Sequence, residues 1–333
     1  MSNRGITDLK VVGIPWHVAH QAELSKLFKE YNLLWNPYRA WGETSRPMPE
    51  NMKMVTHYEK GYYDFAILHI DQQCLEEKIS KGRLLRDVNK LIKDIPKVII
   101  NHMTPFDDRL DTPEVIKRAK ELVGDNIMVV NSYEAAEQWG FGWPIIHGLD
   151  PDEWWDLPKE PRSITVLSPA GMEKAYRRIF INILSRKLKE DYDIKFYWVG
   201  VDLKNFDSFD SYRNYLGRSL LYVNATWQSP RPRARTEAMF SGCCVVSTRY
   251  HDAETFIENG VNGFLLGDKR SDNPNTIDNP ESAAKLINDL LTNRYKEAVE
   301  IGQRGKETAR KLFNKDKFKS QWERLLKTQV GIL

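Results

Sequence analysis

Arg231, Arg233 and Arg235 stand on alternate positions of the stretch SPRPRARTEAMFSGCCVV, and Glu237 follows two residues later. A strand-like run, SLLYVNA, comes before them and a small apolar helix, TEAMFSG, comes after. The arginines thus fall where a strand's carboxyl end turns into a helix. A helix N-terminus offers unbonded backbone N–H groups and a positive dipole, both of which favour an anion. Guanidinium groups add planar, paired donors suited to phosphate. A carboxylate in the first helical turn can accept hydrogen bonds from ribose or sugar hydroxyls. Cations for a diphosphate beside an acceptor for a ribose suggest a nucleotide-sugar site. The plain alternative is a solvated arginine loop with a helix-stabilising glutamate.

The chain that must position these groups has 333 residues, enough for one large or two medium domains. Its composition is that of a soluble globular protein rich in Trp and Tyr, and its net charge of +3 is too small to indicate nucleic-acid binding by itself. Its three cysteines, Cys74, Cys243 and Cys244, show no metal-ligand spacing, and the adjacent pair makes a poor structural disulfide. A reducing compartment and a core role fit them. The first residues, MSNRGITDLK, hold no signal-peptide core, and no apolar run approaches a bilayer span. A cytoplasmic protein is expected, with attachment at a membrane surface left open.

Short apolar runs alternate with helical patterns along most of the chain. LKVVGI, FAILHI, KVIIN and IMVVN read as buried strands, and QAELSKLFKEY, LLRDVNKLIKD, TPEVIKRAKELVG and SYEAAEQWG as helices. Thr112 is the expected cap of the helix that opens with Pro113, and Gly124 its end. LDPDEWWDLPKEPR breaks the alternation and reads as an inter-domain linker. Strands then resume with SITVLS, IKFYWVG, SLLYVNA, CCVVST and GFLL, and the chain ends in charged helices. Strand and helix in repeated alternation mean parallel sheets covered on both faces. The expected architecture is α/β: two Rossmann-like, doubly wound domains, 1–150 and 151–312, facing a cleft. A terminal helix, 313–333, crosses back onto the first domain on its apolar stripe of Phe313, Phe318, Trp322, Leu325 and Leu326. In open α/β sheets ligands bind beyond the carboxyl ends of the strands.

Other polar groups fall at those ends. His102 closes KVIIN and should face the cleft, although a lone histidine at a strand end is more often structural. His17 and His20 follow the first strand in GIPWHVAHQAEL, where His20 also fits a plain helix start. LHIDQQ sets His69, Asp71, Gln72 and Gln73 at another strand end, suited to sugar hydroxyls or to a buried hydrogen-bond network. Asp150 and Asp152 read as linker and capping residues. No residue set has metal-site spacing.

RTEAMFSGCCVVSTRYHDAETFIENGVNGFLL resembles the donor-binding half of GT-B glycosyltransferases, family 4 in particular, with its helix E-A-M-x-x-G, its strand P-V-V-x-T and its N-G-x-x-G-F-L turn. VVNSYEAAEQWG, IIHGLDPDEW, VLSPAGMEK and KVIINHMTP resemble further segments of that family, in the same order. There are departures. The family's two glutamates, separated by seven residues, read Ser229 and Glu237 here, and its Gly-Arg in the second domain's first loop reads Ser168-Pro169. Lys174 matches a family lysine, while Arg178 or the arginines of the opening stretch stand in for the missing cation. The usual glycines are absent around His17 and His20.

The resemblance implies a GT-B fold and transfer of a sugar from a UDP- or GDP-sugar to an acceptor hydroxyl, with retention and with no metal or other cofactor required. It implies His102 and Glu237 as catalytic groups. Glu237 would hold the ribose, and His102 would steady the transferred sugar. Ser168, Gly171, Lys174, Arg178, Arg233 and Arg235 would contact the donor, and His17 and His20 would lie in an acceptor or phosphate loop. The acceptor could be a glycan, a lipid-linked sugar or another hydroxyl; a modified nucleic-acid base has no support from the charge. Two other readings use the same halves. A sugar-nucleotide epimerase needs acid and base carboxylates that the sequence does not pair convincingly, and a non-catalytic nucleotide- or sugar-binding protein needs only the donor loop.

Overall fold

The computed structural model describes residues 4–37, 40–76, 78, 80–106, 110–168, 178–194, 197–200, 206–226, 229, 231–249, 251–267 and 279–333. The chain divides into two compact units, Met1–Gly148 with Asp316–Leu333, and Leu149–Lys315.

The first unit contains β1 (Lys10–Gly13), α1 (Val18–Ser25), β2 (Glu30–Leu34), β3 (Met52–Val55), β4 (Phe65–Ile70), α2 (Ser80–Leu91), β5 (Lys97–Asn101), α3 (Thr112–Val123), β6 (Ile127–Val130), α4 (Tyr133–Trp139) and β7 (Trp143–Pro144). The strands form one sheet in the order β3-β2-β1-β4-β5-β6-β7, and every neighbouring pair is parallel. All carboxyl ends therefore share one edge, where β1, β4, β5 and β6 can bring polar groups together. Period-two alternation sends successive residues to opposite faces. Val12, Ala66, Leu68, Ile99 and Val130 enter one apolar cluster, and Val11, Phe65, Ile67, Val98 and Val129 enter another.

The second cluster is closed by the end of the chain. Helix α10 (Lys315–Leu325) contributes Phe318, Trp322 and Leu325, followed by Leu326, all at most 2% exposed. Full burial of side chains of this size contributes about 1.5–3 kcal/mol each. Gln321 fixes the register, accepting from Ile146 N at 2.8 Å and donating to Ile146 O at 3.2 Å. Phe313, the first member of the expected stripe, packs elsewhere. Its ring meets Phe256 of the second unit edge-on at 5.0 Å.

The second unit contains β8 (Glu160–Ser168), α5 (Arg178–Tyr192), β9 (Tyr197–Gly200), α6 (Phe209–Arg218), β10 (Ser219–Asn224), α7 (Arg233–Phe240), β11 (Cys244–Thr248), β12 (Phe264–Leu266), α8 (Pro280–Thr292) and α9 (Tyr295–Leu312). Its sheet runs β12-β11-β10-β8-β9, again all parallel. Helix α9 lies tight against the turn between α7 and β11. A Cβ on Gly302 would fall 2.3 Å from Gly242 O, and Gly242 itself has φ +72°. Both positions therefore require glycine.

Several local expectations change. The helical reading of QAELSKLFKEY ends at Ser25, because its last residues, Glu30 and Tyr31, open β2. Asp111, not Thr112, caps α3, accepting from Glu114 N at 2.9 Å. The stretch read as a linker is tied down. Trp154 is 4% exposed, and Asp156 pairs with Lys159 at 3.2 Å and Lys306 at 2.7 Å.

Candidate functional site

Four imidazoles meet at the carboxyl edge of the first sheet. His17 is the N-cap of α1, and His20 lies one turn further on the same helix. The loop before them is stapled by Gln21, which accepts from Trp16 N at 2.8 Å and donates to Ile14 O at 2.8 Å. His69 lies inside β4 and is 0% exposed. His102 directly follows β5, its amide donating to Ile70 O at 3.0 Å. His69 Nδ1 and His102 Nε2 are 2.8 Å apart, with the rings 10° from parallel. His17 stands 4.0 Å from His102 between ring centroids, and His20 stands 5.2 Å away. Asn131, the residue after β6, sets its Nδ2 3.3 Å from His102 Nδ1. Asp71 of LHIDQQ caps a short 3-10 turn through Gln73 N at 3.0 Å and pairs with Lys81.

The helix of the second unit starts within the arginine stretch rather than after it. Pro232 is the N-cap, and α7 already begins at Arg233. Proline's fixed φ suits entry into a helix. Arg233 and Arg235 are therefore two helical positions apart and do not share a direction, because a helix turns about 100° per residue. Arg235 is 1% exposed, and its Nη2 lies 3.0 Å from Asp252 Oδ1. Arg231, 7% exposed, pairs with the other oxygen of the same carboxylate. Their guanidinium carbons lie 5.3 and 4.8 Å from the Phe256 ring centroid, and Arg231 also covers Phe313 at 4.8 Å. Two buried cations thus share one anion. Burial lowers the Arg235 pKa, the Asp252 charge opposes this, and Arg231 adds to it. Arg235, expected at the diphosphate, has its guanidinium turned onto Asp252. Arg233 is half-buried at the helix start.

Glu237 is the fifth residue of α7, not a first-turn residue, and is 4% exposed. Tyr212 of α6 donates to its Oε2 at 2.9 Å. Tyr212 is itself seated among Trp154, Phe206 and Phe209. Ser168 is the last residue of β8 and Arg178 the first of α5. Gly171 and Lys174 lie outside the described residues. Cys74, Cys243 and Cys244 are free and buried, and burial pushes the Cys243 thiol up to about 11.

The structure thus brings His17, His20 and His102 together in one unit, and Arg233, Arg235 and Glu237 together on α7 in the other. It adds Asn131, Tyr212 and Asp252, which the sequence did not single out. Among the described residues no group of three or more His, Cys, Asp or Glu side chains could hold a metal ion, and no helix is long and apolar enough to cross a membrane.

No protein-family model matches the sequence, and no curated protein matches it. Solved structures do share its fold. HepE from Anabaena, in complex with UDP and glucose, superposes with a TM-score of 0.66 at 14% identity, over 96% of this chain and 100% of that one. Sucrose-phosphate synthase from Thermosynechococcus elongatus gives a TM-score of 0.64 at 11% identity, over 96% and 98% of the two chains. A TarM variant from S. aureus, in complex with fondaparinux, alpha-GlcNAc-glycerol and UDP, gives 0.60 at 16% identity. That match takes in 79% of this chain but only 55% of TarM, so the chain spans about half of TarM's length. At these identities the likeness is one of fold, and the fold is that of the GT-B glycosyltransferases.

Proposed function

We propose that the chain transfers a sugar from a nucleotide-sugar donor to an acceptor hydroxyl, with retention at the anomeric carbon. The observation that carries this reading is Glu237, a buried carboxylate held at one oxygen by Tyr212 and set on the helix that opens with the arginine stretch. In this reading Glu237 accepts from the ribose hydroxyls. Arg233 is assigned to the diphosphate, and Lys174, Ser168, Gly171 and Arg178 to the remaining donor contacts. Negative charge develops on the departing diphosphate, so cations fixed there in advance lower the barrier most. His102 steadies the transferred sugar, and His17 and His20 line the acceptor side. The leaving phosphate takes the acceptor's proton, so no protein base is assigned. HepE and TarM were solved with UDP, which makes UDP-sugars the first donors to test. Acceptors of the glycan or lipid-linked class suit the reading.

Incubation with UDP-glucose, UDP-N-acetylglucosamine and GDP-mannose, with and without oligosaccharide acceptors, tests it. Release of nucleoside diphosphate that rises with acceptor is expected. Conversion of one nucleotide sugar into another without release would instead mark an epimerase, and binding without any turnover a binding module.

A further inference from the structure

We propose that His69 and Asn131 are positioning residues that fix the tautomer of His102, with its lone pair at Nδ1 and its proton at Nε2. The inference rests on the reading of His102 as a contact to the transferred sugar, and adds two residues to that site. The three groups come from the carboxyl ends of three adjacent strands, β4, β5 and β6. An amide nitrogen can only donate, so Asn131 Nδ2, 3.3 Å away, requires a lone pair on His102 Nδ1. A neutral imidazole carries one proton, which must then sit on Nε2. That atom faces His69 Nδ1 at 2.8 Å, so His69 accepts there and holds its own proton on Nε2. Donation runs one way, from Asn131 to His102 to His69.

The arrangement also opposes charging of His102. A second proton would enter at Nδ1, where it would meet the Asn131 N–H. Asn131 Oδ1 is buried and has no hydrogen-bond partner among the described residues. Only a turn of the amide would bring that oxygen to accept from a protonated Nδ1. In this arrangement His102 Nδ1 accepts from Asn131 and Nε2 donates to His69. His69 is 0% exposed and cannot itself touch a substrate, so it acts through His102.

The test is nitrogen-15 NMR of the full chain with labelled histidine, reading the tautomer from two-bond proton–nitrogen correlations. The chain has seven histidines, and a His102→Gln spectrum identifies the signal. The wild type should show His102 with its proton on Nε2. Asn131→Asp, which replaces the donor with an acceptor, should move protonation onto Nδ1. Donor turnover should then fall about three- to tenfold, the worth of one neutral hydrogen bond, with affinity for UDP unchanged. His69→Gln, whose carbonyl can still accept, should retain the wild-type tautomer. A wild-type His102 protonated at Nδ1, or a tautomer indifferent to Asn131→Asp, would overturn the positioning role. A chain with the expected tautomer that turns over no nucleotide sugar would keep that role and overturn the transfer reading instead.

Discussion

The two sheet edges bury polar groups by opposite means. In the first unit His102 lies between His69 and Asn131, within hydrogen-bond distance of each. In the second, Arg231 and Arg235 close on Asp252 and stack on Phe256 and Phe313. A network of neutral donors and acceptors can be rearranged by moving one proton or turning one amide. A buried ion pair cannot, because removal of either member strands a charge in a poor solvent. The comparison teaches a division of labour. At the first edge the groups that meet are imidazoles and an amide. The second has a rigid, electropositive frame from which Arg233 and Glu237 are presented.

The largest expected effect falls on the frame. Asp252→Ala leaves two buried guanidinium groups without a counter-charge and should cost about 3–5 kcal/mol, read from urea unfolding. A loss below about 1 kcal/mol, the level of an exposed pair, would mean that the frame is solvated and the contrast false. Tyr212→Phe removes one hydrogen bond to a charged, buried carboxylate and should cost about 1.5–3 kcal/mol in the same measurement. An unchanged midpoint would show that Glu237 does not depend on Tyr212. His102→Ala should leave UDP affinity as it is and lower turnover about tenfold, since a contact made to the transferred sugar acts on the rate. Equal losses in UDP binding and turnover would move His102 out of the role assigned to it.

The smallest effect is one of pH. Burial raises the Asp156 pKa, but hydrogen bonds from Lys306 and Gln303 and the nearby Lys159 charge outweigh it, leaving a net depression below the ordinary value of 3.8. A depressed folded-state pKa means stability that is present above the unfolded value and lost as pH falls through the folded one. Stability should therefore drop below about pH 4, where carboxylates titrate in unfolded chains. Asp156→Asn should flatten that acid limb. An identical acid limb in the variant would show that Asp156 contributes nothing to it.

Legibility in the sequence followed the strength of the local pattern. β1, β4, β5 and β6 stood out because each is a short, mostly apolar run, buried except at its first residue in β1, β5 and β6. β2 and β3 did not. Glu30 and Tyr31 fit the preceding helical period, and Met52–Val55 is four residues with a lysine inside. The start of α7 was misplaced by three residues because Pro-Arg-Pro-Arg breaks the helical pattern, whereas Pro232 caps the helix. His102 and Glu237 were singled out from their motifs. Their partners were not: Asp252 lies 17 residues from Arg235, Tyr212 25 residues from Glu237, and Asn131 29 residues from His102. Such pairs exist only once parallel strands and packed helices bring distant positions together.

Calorimetric titration of UDP into the wild type and into Glu237→Gln tests the central claim most directly. The glutamine keeps an oxygen to accept from Tyr212, so the helix stays anchored while the carboxylate is lost. The wild type should bind UDP at a single saturable site. The variant should bind about ten- to a hundredfold more weakly, the worth of a charge-assisted hydrogen bond to a ribose hydroxyl. Equal affinity in the two proteins, or a wild type that binds neither UDP nor GDP, would contradict the account.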